Sequence, residues 1–166
     1  YELLVNFCLK KNIKTILTAH NLEDQVETFF IRLSRGSGLS GLSAMKPTTN
    51  LHKKVILYRP LLNIKKKYLI KISKISFGRY FKDPSNKNPK FLRTKIRRLK
   101  RPLEHSGIEY DQIIKSINNL ASSKSILENY FSKIFKDLIK KKGDEIMIDK
   151  KKFNVFNNEI KMNIIK

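Results

Sequence analysis

Residues 18–45 read TAHNLEDQVETFFIRLSRGSGLSGLSAM, and the way this stretch continues from the residues before it decides the fold. Just upstream, KTILTA at 14–19 is a short β-branched run, the profile of a strand buried in a parallel sheet. Apolar residues then recur at Leu22, Val26, Phe29, Phe30 and Leu33, which is a helical period. Asn21 with Asp24 three positions on has the form of a capping box. Before the strand, ELLVNFCLKK at 2–11 carries an apolar helical stripe and ends in lysines, as a helix C-terminus prefers. Helix, strand, helix in that order is a fragment of an α/β fold with a parallel sheet. Gly36, Gly38 and Gly41, interleaved with Ser37, Ser40 and Ser43, predict a flexible loop after the second helix.

Further along, VILYRPLL at 55–62 predicts a strand that runs into a proline-marked turn, and Ile64 to Ile75 predicts an amphipathic helix. Asp83-Pro84-Ser85-Asn86 is a turn signal, since Asp and Asn bond nearby backbone and Pro fixes φ. Helices are predicted at 91–100, 110–121 and 123–142. The last has a stripe through Leu127, Tyr130, Phe131, Ile134, Phe135 and Leu138, read as a core-packing helix because its lysines gather at 140–142. Beyond Gly143 the pattern supports no assignment. The expected organisation is the C-terminal half of an α/β domain over residues 1–101, then a mainly helical region over 102–166. The chain does not begin with Met and enters its sheet midway, so it is expected to be a piece of a longer protein.

The formal charge is +22, with 36 Lys and Arg against 14 Asp and Glu. Heavy use of Lys, Asn and Ile is what an AT-rich genome produces without selection, so distribution is more informative than the total. Residues 61–101 hold fifteen Lys/Arg and one acid, whereas 1–60 hold nine against four and 102–166 twelve against nine. A band of that kind is expected to face phosphates. No apolar run has the length of a membrane span, and no signal peptide is visible. The single cysteine, Cys8, excludes an internal disulfide framework and a CxxC site, which points to a reducing cytoplasm.

Chemistry-bearing residues concentrate in 18–45. His20 closes a strand at the end where open parallel sheets bind ligands. Asp24, Glu27 and Thr28 share one helical face through i+3 and i+4 spacing, and Arg32 and Arg35 follow. Each has an ordinary reading as well: acids in a first turn serve the helix dipole, and a Gly/Ser loop is often only a loop.

In this order and spacing the segment resembles the tRNA(Ile)-lysidine synthetases, a family of the PP-loop ATP pyrophosphatases with an adenine-nucleotide alpha-hydrolase-like fold. The resemblance rests on HNLEDQVET and RLSRGSGLSGLSAM, then RPLL at 59–62, FKDPSN at 81–86 and RTKIR at 93–97. It covers about residues 14–101 and departs from the family at Glu23, usually Asp, and at Thr94, usually Asn. The Ser-Gly-Gly-x-Asp-Ser phosphate loop of the family does not occur among the 166 residues, so this chain by itself is expected to bind ATP poorly.

The resemblance implies ligation of free L-lysine to C2 of the wobble cytidine in tRNA(Ile) with a CAU anticodon, through an adenylated tRNA, with ATP and Mg2+ as cofactors. By matching position it implies Asp24, Arg35 and Arg97 as catalytic, with Asp24 also a metal ligand. His20, Thr28, Gly36 and Gly38 would hold the nucleotide, and Glu27, Arg32 and Arg93 the substrates. It implies a cytoplasmic protein without a membrane partner and leaves a homodimer open. Two other readings stand beside it: a different PP-loop enzyme such as a tRNA thiolase, and a non-catalytic RNA-binding module working through the basic band and its aromatics.

Overall fold

The computed structural model describes residues 1–81, 83–84, 88–142 and 145–165. It divides into two compact units, Tyr1–Ala121 and Ser122–Lys166. In the first, α1 (Glu2–Lys10) leads to β1 (Thr15–Leu17) and then α2 (Leu22–Leu33). β1 pairs in parallel with β3 (Val55–Tyr58), Thr15 against Ile56 and Leu17 against Tyr58, so the parallel α/β reading holds. β3 buries alternate side chains, with Val55 and Leu57 fully inside, which is the period-two pattern of a half-covered sheet.

The third strand, β2 (Thr48–His52), is one that local sequence does not announce. TTNLH carries one large apolar residue, so its alternation is too weak to announce a strand. It pairs antiparallel with β3, giving the order β1-β3-β2, and is held by Arg59, whose Nη1 donates to Lys46 O at 2.8 Å and Thr49 Oγ1 at 2.9 Å. Tertiary pairing supplies what local propensity lacks.

The expected flexible loop is instead fastened to α2. It contains a one-turn helix, α3 (Leu39–Leu42), and two α2 side chains grip its far end. Gln25 exchanges two hydrogen bonds with the Met45 backbone, both at 2.9 Å. Arg32 donates to Gly41 O at 2.7 Å and Ala44 O at 2.8 Å. Gly41 is required sterically, since a Cβ there would stand 2.5 Å from Ser37 Cβ.

α4 (Lys66–Phe77) ends at Gly78, which takes a left-handed φ of 68° that a side chain would resist. The helix expected over 91–100 is two helices, α5 (Leu92–Arg98) and α6 (Lys100–His105). Pro102 has no N–H to return to the Arg98 carbonyl, so a single helix cannot run through. The core of this unit joins Leu22, Val26 and Ala44 to Tyr110, Ile113 and Ile117, so it extends past residue 101. Asn86 and Ser85 of the expected turn lie outside the described residues.

The helices expected at 110–121 and 123–142 are one, α7 (Tyr110–Leu138). Ser122 and Ser123 lower helix propensity only slightly, and no Gly or Pro interrupts. It stops at Leu138 because Ile139–Lys142 becomes β4, paired antiparallel with β5 (Glu145–Ile148). Within the second unit Ile134 and Leu138 pack with Ile164 of α9 (Asn158–Ile165) and with Phe153 of α8 (Lys150–Asn154). Of the expected stripe, Leu127, Tyr130 and Phe135 are exposed. Among the described residues no helix is long and apolar enough to cross a membrane.

The Gly41→Ala substitution is expected to destabilise the first unit by about 1–3 kcal/mol through overpacking against Ser37. A thermal or urea melt checks this, and Ser37→Gly should restore most of the loss; no rescue would mean the close approach is not the cause.

Candidate active site

The β1–α2 junction places His20 at the carboxyl end of a parallel strand, where the chain must leave the sheet. Thr18 N–H still donates to Tyr58 O at 3.0 Å, and its hydroxyl lies 3.0 Å from His20 Nδ1. Burial lowers the His20 pKa below its ordinary value; the Arg59 and Arg93 charges add to this and Asp24 opposes it. The imidazole is therefore neutral near pH 7.

The first turn of α2 is closed by its own cap. Asn21 Oδ1 accepts from Asp24 N–H at 3.2 Å, and Asp24 Oδ2 accepts from Asn21 N–H at 3.0 Å. The helix N-terminus thus has its anion already, and any ligand phosphate must be met by side chains. Glu23, the departure from the family pattern, accepts the Lys66 N–H at 2.8 Å and so holds the start of α4.

One turn further on, Glu27 is 2% exposed and meets two guanidiniums from α5. Arg97 Nε donates to its Oε1 at 2.5 Å and Nη2 to its Oε2 at 3.1 Å. Arg93 Nε lies 3.2 Å from Oε2, and Arg93 Nη2 donates to Thr28 Oγ1 at 3.4 Å. Arg97 also approaches Asp24 Oδ1 at 3.7 Å. Desolvation raises the Glu27 pKa even against these cations, while the hydrogen bond to Glu27 raises that of Arg97. The Nε groups of Arg59 and Arg93 are buried without a hydrogen-bond partner among the described residues. For Arg93 the nearest anionic oxygen is that of Glu27, whereas the buried Arg59 donor suits an anionic oxygen from a ligand.

Among the expected site residues, His20, Asp24, Glu27, Thr28, Arg93 and Arg97 therefore come together. Glu27 sits beneath the cations rather than facing a ligand. Arg32 is bonded to the loop carbonyls, and Arg35, Gly36 and Gly38 lie beyond the other end of α2, whose last residue is about 13 Å along the axis from Asp24. Arg59 joins the first of these groups without a marked role in the sequence, its one signal being an Arg before Pro at a strand end. Among the described residues no group of three or more His, Cys, Asp or Glu is placed to hold a metal. Asp24, the expected metal ligand, has Arg97 3.7 Å from its Oδ1 and its Oδ2 in the helix cap, so this donor set does not fit a resident metal. Cys8 is buried on α1.

A PP-loop domain model matches residues 1–103. The tRNA(Ile)-lysidine synthase of Ruegeria pomeroyi is 31% identical over 160 residues, covering 96% of this chain and 38% of the relative. That of Zymomonas mobilis is 34% identical over 152 residues, covering 90% and 46%. That of Orientia tsutsugamushi is 42% identical over 99 residues, covering 60% and 22%. The chain spans less than half the length of these curated relatives.

Breaking the buried pair by Glu27→Gln is expected to cost about 3 kcal/mol. In a double-mutant cycle with Arg97→Gln, urea unfolding should give a coupling of about 1 kcal/mol or more, and strict additivity would refute the pairing. His20 should behave differently. Because its folded pKa is depressed, its stabilising contribution is present above the ordinary value of 6.5 and is lost as pH falls below it. A His20→Gln variant should therefore lose less stability than the parent between neutral and mildly acidic pH, as followed by thermal melts.

Proposed function

Because the chain belongs to the PP-loop family, we propose that it forms part of an ATP-dependent ligase that makes lysidine in tRNA(Ile) with a CAU anticodon. The observation that carries this reading is the meeting of His20, Thr28, Arg59, Arg93 and Arg97 at the carboxyl end of a parallel strand pair. ATP, when bound, would supply the adenylyl group, its α–β phosphoanhydride bond breaking to release pyrophosphate, and the adenylated cytidine O2 is then a good leaving group. Lysine then displaces AMP.

Arg59 offers its unpartnered Nε–H to a non-bridging phosphate oxygen, where charge is carried in the transition state, and Arg93, ion-paired to Glu27 through Nε, adds its positive charge beside Thr28. Arg97, clamped by Glu27, keeps its guanidinium in place before the substrate arrives, so little reorganisation is needed during reaction. Neutral His20 can donate a hydrogen bond without adding charge. Asp24 is the carboxylate best placed to attract the ammonium of free lysine, since Glu27 is already enclosed by arginines. Arg35, Gly36 and Gly38 are proposed to contact the RNA rather than the adenylyl group, given their position beyond the far end of α2. The site is proposed to work in the cytoplasm.

The test is ATP-dependent transfer of labelled lysine to a tRNA(Ile) transcript with a CAU anticodon. The chain would be assayed alone and together with the N-terminal half of the Zymomonas mobilis relative, which would supply the phosphate-binding loop. Incorporation is expected in the combined reaction, and Arg97→Gln should lower it by about a hundredfold or more. Absence of incorporation in both reactions would overturn the proposal.

A further inference from the structure

We infer that the end of α4 and the turn after it form a stacking platform for unpaired nucleotides, an RNA contact separate from the site above. α4 buries none of its residues. Tyr68, Ile72 and Ile75 follow one another at i, i+4 and i+7 and are exposed, Ile75 by 75%. Lys67, Lys71 and Lys74 repeat with the same spacing one position earlier, so a lysine stripe runs beside the apolar one. At the end of the helix Phe77 is 76% exposed and Phe81 85%.

The turn at Gly78 folds the chain back along α4. Ser73 Oγ donates to Arg79 O at 3.0 Å, and Lys74 Nζ lies 5.9 Å from the centre of the Tyr80 ring. Arg79 stands 5.4 Å from the Phe81 ring, and Lys67 5.1 Å from that of Tyr68. Three rings therefore each carry a cation at close range. Residues 61–101 contain one acid, Asp83, against fifteen Lys and Arg, and α4 itself contains no acid to offset its lysines.

Charge and ring placement together select the occupant. Large apolar side chains exposed beside cations fit a ligand that is anionic yet has flat apolar faces, which describes a single-stranded nucleic acid. A duplex hides its base faces and would use the lysines alone. An anionic membrane needs a continuous apolar face to bury. Here the rings fall on both sides of the Gly78 turn, and their cations would be drawn with them towards hydrocarbon. Only the identity of the RNA, a tRNA, rests on the functional reading above.

Fluorescence anisotropy of the full chain would be measured with labelled oligouridine, with an RNA duplex of equal phosphate number, and with phosphatidylglycerol–phosphatidylcholine vesicles. The Phe77→Ala, Phe81→Ala double variant is expected to lose about tenfold or more in affinity for oligouridine with little change on the duplex. Phe77→Tyr with Phe81→Tyr should keep the binding, since the ring face remains. Lys71→Gln with Lys74→Gln should weaken oligouridine and duplex alike and flatten the salt dependence. An unchanged affinity in the double alanine variant, or an equal loss on both RNAs, would overturn the platform. So would a loss confined to vesicle binding. A chain that stacks oligouridine but yields no lysine incorporation would sink only the functional reading.

Discussion

Everything around the candidate site depends on one buried carboxylate. Glu27 lies on the face of α2 that it shares with Asp24 and Thr28, beside the core-facing side of Leu22 and Val26, and is enclosed there by Arg93 and Arg97 of α5. A lone carboxylate in that position would be costly to ionise, and its raised pKa reflects that cost. Two arginines of α5 offset it by bringing their charge to the same spot. The result is a bond between helices whose partners are 70 residues apart in the chain. Thr28 and Arg93 owe their separation to it, and so does the approach of Arg97 to Asp24.

That arrangement gives the site a layered electrostatic character. The anionic groups of α2 are turned inward or into the helix cap, so they do not present a bare negative surface to a polyanion. The positive groups lie above them, and Arg59 joins from the sheet side. An acidic helix start in a protein that carries +22 would look out of place on charge alone. It is accounted for once the acids are recognised as the counterions that hold the cations in position.

The same division separates the two basic regions. Arg93 and Arg97 are half-buried and fixed by Glu27, which suits ordered recognition of a small anionic group. The lysines of α4 are point charges on an exposed helix, which suits the repeating phosphates of a chain. Neither region substitutes for the other, and a substrate that carries both a reacting centre and a flanking single strand would use both.

The sequence by itself determined the elements with strong local periodicity. α2 with its Asn21–Asp24 capping box, the strands at Thr15–Leu17 and Val55–Tyr58, and the concentration of charge at 61–101 are all legible because each rests on neighbours within a few residues. The fate of each charged side chain was not legible in that way. Spacing put Asp24, Glu27 and Thr28 on one face, but it could not say that α5 would cover that face and turn Glu27 into a buried counterion. Nor could it say that Arg32 would bind Gly41 and Ala44, or that TTNLH would complete the sheet beside β3. A weakly patterned strand and an enclosed charge are both settled by partners distant in the chain. Only tertiary packing brings those partners within bonding distance.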